Sequence, residues 1–197
     1  MRISFKTAMV VAALVASSTA FSQAMSPGPA NDTGADASMP SKASYDEQFL
    51  DTMAKHHEEA VKMAQLADSR SAHDQLKQMA KKTIEDQNAE IAQLRNWKEQ
   101  WYPDKGSAVN MKLPGMMESM KGMSMERLEA SHGDAFDAMF IDMMNKHHRG
   151  ALTMARDAVK KARHPQIVAF SKKVISQQQQ EISTMSRWKK EWKLVDH

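Results

Sequence analysis

Tyr45-Asp-Glu-Gln-Phe-Leu-Asp-Thr-Met-Ala-Lys-His-His-Glu-Glu-Ala-Val-Lys-Met-Ala64 decides how this chain reads, because the stretch is written twice. It returns 91 residues later as Phe136-Asp-Ala-Met-Phe-Ile-Asp-Met-Met-Asn-Lys-His-His-Arg-Gly-Ala-Leu-Thr-Met-Ala155. The register does not slip: Asp46, Phe49, Met53, His56, His57, Ala60 and Met63 correspond to Asp137, Phe140, Met144, His147, His148, Ala151 and Met154. Extended to its limits, the repeat aligns 45–101 with 136–192 without a gap, with about 22 identities in 57 positions. Tandem histidines flanked by methionines are the feature that suggests chemistry.

Spacing gives the fold. Asp46, Phe49, Met53, His56, Ala60, Met63 and Ala67 recur in alternating steps of three and four, the seam of an amphipathic helix. Ser44 with Glu47 forms a capping box at its start. Asp68 to Ser71 reads as a turn, and a second seam runs Leu76, Ala80, Thr83, Gln87, Glu90, Leu94, Trp97, Trp101 until Tyr102-Pro103-Asp104 stops it. After a connection over 104–130, helix three starts with Asp134 or a neighbour as its cap. Helix four follows with Ile167, Ser171, Val174, Gln178, Glu181, Met185, Trp188 and Trp192 on its seam. One two-helix unit has too little core to stand alone. The predicted fold is therefore all-α: an antiparallel four-helix bundle from two duplicated helical hairpins. If the first hairpin folds between Ser71 and Ala72, His56 lies level with Gln87 and Met53 with Glu90. The second hairpin pairs His147 with Gln178 and Met144 with Glu181. That makes two polar layers one turn, about 5 Å, apart.

Outside the repeat, composition narrows the function classes. Residues 1–24 have a basic start (Arg2, Lys6), an apolar run from Ala8 to Ala16 and a small-residue site at Ser22-Gln23-Ala24. That pattern predicts a secretory signal peptide cleaved after Ala24, with Ala20 as the alternative, and hence a periplasmic protein. Residues 25–43 read as a flexible linker, and 44–197 as the bundle. Loss of Arg2 and Lys6 lowers the formal charge from +3 to +1, so the basic balance is no argument for nucleic acid. No later stretch is apolar enough to span a membrane. Cysteine is absent, which excludes disulfides, thiolate ligands and a lipid-anchored cysteine. Methionine, at 18 residues, supplies the soft donors.

Each candidate group has a plain reading beside the chemical one. His56 and His147 lie on the inner seam, with His57 and His148 one residue round. They are either a buried network bonded to Gln87, Glu90, Gln178 and Glu181, or metal ligands with those four as outer partners. Met53, Met63, Met144 and Met154 (and Met185) lie on seams, where packing competes with ligation. Met111, Met116, Met117, Met120, Met123 and Met125 crowd the connection, either as thioether ligands or as an apolar lid over the bundle. Imidazole with thioether suits copper, Cu(I) before Cu(II). Free imidazoles lose their protons near pH 6.5, so histidine sites are expected to fade below it. The paired tryptophans read as end-plugs. A zincin is excluded, since Val61 stands where His-Glu-x-x-His needs its second histidine. The seam carries fewer carboxylates than di-iron bundles use, which leaves a ferroxidase as an alternative with little support.

The signature Asp-x-x-Phe-x-x-x-Met-x-x-His-His-x-x-Ala-x-x-Met-Ala occurs at Asp46 to Ala64 with Gln87, Glu90, Ile91 and Trp97. It occurs again at Asp137 to Ala155 with Gln178, Glu181, Ile182 and Trp188. It resembles bacterial domain-of-unknown-function family 305, and among its members the exported CopM-type copper-binding proteins. The resemblance implies a ferritin-like four-helix fold and a role in copper handling. The expected protein binds, sequesters or passes on copper without turnover, with other periplasmic copper-handling proteins as partners. A ferritin-like metal oxidase and a helical interaction module without metal are the alternatives.

Overall fold

The computed structural model describes residues 43–195, and every regular element among them is helical. The predicted leader, and the predicted linker up to residue 42, lie outside the described residues. Helix α1 (Tyr45–Gln65) opens as the capping box requires, the Ser44 hydroxyl accepting from the Glu47 N–H at 3.3 Å. The stretch read as a turn contains a further short helix, α2 (Ala67–Arg70), and the reversal falls at Ser71 to His73. Helix α3 (Asp74–Trp101) then runs back along α1. Two short helices, α4 (Met116–Met120) and α5 (Met125–Ala130), occupy the connection. Helix α6 (Gly133–Lys161) starts at a glycine with φ +62°, capped by His132, which places Asp134 in the first turn. Helix α7 (Pro165–Glu191) begins with proline, where no backbone donor is needed.

The four long helices pack as α1 on α3, α6 on α7 and α1 on α6. Their buried side chains form two clusters, each drawing on both copies of the repeat. One holds Phe49, Leu50, Met53, Leu94, Met154 and Phe170; the other Met63, Leu76, Phe136, Phe140, Ile141 and Met185. Along α1 the histidines fall between the residues of the first cluster and those of the second, and along α6 they do so again. The expected register is offset. Glu90 pairs with His57 and Lys98 with Asp51, so α3 sits about one turn from the position that put His56 level with Gln87.

Both ends are tied crosswise. The Asp46 carboxylate, on α1, accepts from the backbone N–H of Arg163 at 3.0 Å and of His164 at 2.9 Å, at the start of α7. His164 Nδ1 lies 2.6 Å from the same carboxylate, and its ring stacks on Trp101 at 4.0 Å. At the opposite end Asp137 accepts from Ala72 N–H at 3.1 Å, His73 Nδ1 lies 2.6 Å away, and His73 stacks on Trp192 at 3.8 Å. The outer tryptophans thus close the core ends as expected, and each also carries a histidine from the other copy.

The methionine-rich connection is strapped down. Asp51 accepts from Ala108 N–H at 2.7 Å, and Thr52 Oγ1 from Asn110 N–H at 2.9 Å, holding it to α1. Further on, α4 lies on α6 where Gly115 meets Gly150; a Cβ on Gly150 would overlap Ser119 Cβ and the Gly115 carbonyl. The first copy has Glu59 at the position of Gly150.

Candidate metal centre

His56 comes from α1 and His147 from α6, and both are fully buried. Their ring centroids are 3.6 Å apart with planes inclined at 32°, and none of the four ring nitrogens has a hydrogen-bond partner. The expected network from these rings to Gln87 or Gln178 is not formed: both glutamines are buried and their Oε1 atoms are also unpartnered. The glutamates go to the second histidine of each pair. His57 Nε2 lies 2.9 Å from Glu90 Oε2, and His148 Nε2 lies 2.6 Å from Glu181 Oε2. One step along a helix turns the side chain by about 100°, which carries position 57 or 148 away from the α1–α6 contact and toward α3 or α7. His57 and His148 are buried too, each with Nδ1 unpartnered.

Electrostatics follows from this enclosure. Burial, reinforced by the neighbouring imidazoles, pushes His56 and His147 well below the ordinary histidine value of 6.5. Both are therefore neutral at any physiological pH, and each keeps an aromatic nitrogen lone pair with nothing to accept. Burial alone would raise Glu90, but the hydrogen bond and charge of His57, and Lys173 at 3.3 Å, hold it below its usual range. Orphaned buried polar atoms cost about 1–3 kcal/mol each. A cluster of them at mid-core fits a ligand that takes nitrogen lone pairs, such as a borderline or soft cation.

The predicted methionines divide by location. Met53 and Met154 are buried in the first cluster, Met63 and Met144 in the second, so thioethers lie in both layers flanking the rings. In the connection Met116 is fully buried in the first cluster, and Met123 and Met125 pack on the second. Met120 is half-buried, while Met111 and Met117 are exposed at 38% and 60%. The connection therefore serves in part as the apolar lid, and its thioethers are not gathered in one place.

Another cluster escaped the sequence reading: His73, Asp134 and Asp137 place one donor atom each within 4.8 Å of one another. It lies at the starts of α3 and α6, whose positive dipole ends disfavour a cation, and Asp137 is already engaged by Ala72 and His73. Its geometry is that of the crosswise tie. The sequence signal was present, since Asp46/Asp137 and His73/His164 share the offset of the repeat.

A helical protein whose facing helices bring unbonded imidazoles together in its core is the class these features define. The chain belongs to the family described as domain of unknown function (DUF305), which matches residues 46–189. It is similar to CopM in the Cu(I)-bound form, at 28% identity and TM-score 0.64, covering 76% of this chain and 99% of that one. Against CopM in the Cu(II)-bound form the identity is 30% and the TM-score 0.65, covering 75% and 97%. A family member from Streptomyces coelicolor shares the fold at 22% identity and TM-score 0.66, covering 77% and 96%. No curated protein matches the chain.

Proposed function

We propose that this is an exported periplasmic copper-binding protein that sequesters or passes on copper, Cu(I) in preference to Cu(II), without catalytic turnover. The observation that carries the reading is the His56–His147 pair, with four buried ring nitrogens and no partner for any of them. His57 and His148 stand beside the pair, oriented by Glu90 and Glu181, and the flanking methionines offer thioethers suited to Cu(I). The similarity to CopM in its Cu(I)- and Cu(II)-bound forms points the same way. The exposed Met111 and Met117 are the accessible thioethers for capture outside the core. On this reading the bundle is ferritin-like and built from two duplicated hairpins, each giving one histidine to a shared centre. A metal oxidase is disfavoured because both core glutamates are already held by imidazoles. The test is metal analysis of the protein from copper-supplemented periplasm, followed by Cu(I) titration of wild type and a His56→Leu/His147→Leu variant. Wild type should hold copper that the variant lacks; equal copper in both would refute the assignment, and oxygen consumption on adding Cu(I) would favour the oxidase.

A further inference from the structure

The two His–Glu pairs have matching geometry but unequal access to solvent. Lys173, on α7, sits 3.3 Å from Glu90 Oε1, and the Glu90 side chain is only 8% exposed. The repeat places Lys82 where it could do the same for Glu181. Instead Lys82 is bonded to Asp86 at 2.7 Å, and the Glu181 side chain is 20% exposed. The second copy has Gln177 at the position of Asp86, so Lys173 has no such alternative. Glu181 therefore reaches a groove of about 490 Å³ between α3 and α7, whose lining includes Met79, Lys82, Asp86, Gln177, Glu181 and Trp188.

From this we infer that the cation enters the core on one side only, along the α3–α7 groove and through Glu181 to His148, while the Glu90 side is shut by Lys173. The inference rests on the copper reading above and assigns its inlet. A cation arriving at Glu181 meets a carboxylate that no lysine contacts directly, Lys82 standing in the same groove but paired to Asp86, and one bonded to the buried His148. A cation arriving at Glu90 meets a carboxylate already neutralised by an ammonium group, and is repelled. Asp86 keeps the route open by holding Lys82 aside.

The test is the rate of Cu(I) transfer from its bicinchoninate chelate to the full chain, read from the chelate's absorbance. The relevant kinetic phase is the one lost in His56→Leu/His147→Leu. Asp86→Asn should slow that phase by about tenfold or more, the scale of electrostatic focusing in a charged cleft, with unchanged final occupancy, and Glu181→Gln should slow it at least as much. Lys173→Gln, which frees Glu90 of its ammonium partner, should open the second side and raise the rate by about twofold or more. No gain from Lys173→Gln, or no slowing by Asp86→Asn, overturns the one-sided route. Absence of the phase from wild type overturns the copper centre itself, and the route with it.

Discussion

The rings of His56 and His147 meet in the core at a tilt of 32°, 3.6 Å between centroids, and none of their nitrogens has a partner in good hydrogen-bonding geometry. For stability alone this is a poor use of two buried positions. Replacing both with leucine removes orphaned polar atoms and keeps most of the volume, so the metal-free double variant should be as stable as wild type or more so, by about 1–3 kcal/mol. Urea unfolding of the two metal-free proteins measures this. Marked destabilisation of the variant would mean that the rings have partners in the folded protein.

The same pair sets an acid limit. Above pH 6.5 neither the folded nor the unfolded chain protonates these rings. Below it the unfolded chain takes up protons that the buried rings refuse, so stability falls by about 1.4 kcal/mol per pH unit for each histidine until the depressed folded value is reached. Glu90, held below 4.5, contributes stability that is present above that pH and lost as pH falls through its folded value. Thermal melts from pH 7.5 to 4 should therefore show a decline beginning near 6.5 in wild type and flattened in the double leucine variant.

Copper retention follows a different course from the one expected of free imidazoles. Because the folded rings stay neutral well below 6.5, Cu(I) held by them should persist at pH 5.5. Competitive titration at pH 7 and pH 5.5 checks this, and loss of the histidine-dependent copper between those values would contradict the burial argument.

Gly150 should govern the strap. A side chain there collides with Ser119 and the Gly115 backbone, so Gly150→Glu, which installs the residue of the first copy, should undock α4. Limited proteolysis should then cut within 104–124 far faster than in wild type, while the far-ultraviolet spectrum stays helical. Unchanged protection would show that the strap is held by its α1 bonds alone.

Asp46 anchors the start of α7 through two backbone donors and His164. Asp46→Ala should cost about 2 kcal/mol or more, a cap together with a charged hydrogen bond, measurable by urea denaturation. A loss under about 0.5 kcal/mol would place that tie at the surface, where ion pairs contribute little.

Most of the helical architecture was legible because period and repeat agree: the seam from Asp46 to Ala67 is buried almost as written, and Ser44 caps where its spacing to Glu47 said. The histidines were legible as a pair of positions but not as a pattern of bonds. Which of two adjacent residues meets a glutamate depends on a one-turn slide between helices, and hydrophobic periodicity does not fix a slide of a whole turn. Glu90 fits a layer beside Met53 and a bond to His57 equally well on paper. Met116 could not be told from Met117 in the sequence, yet one is buried and the other 60% exposed, because the difference comes from the Gly115–Gly150 contact.

The crosswise ties have a consequence for how the chain comes together. Each half of the sequence contains both helices of a hairpin, but the carboxylate that caps the second helix of each belongs to the other half. A half-chain made alone would keep its hydrophobic seam and lose the anchor at its own bend. Neither hairpin is therefore a finished folding unit, and docking of the two should coincide with consolidation of both rather than follow it, giving a single cooperative transition where the repeat alone would suggest two.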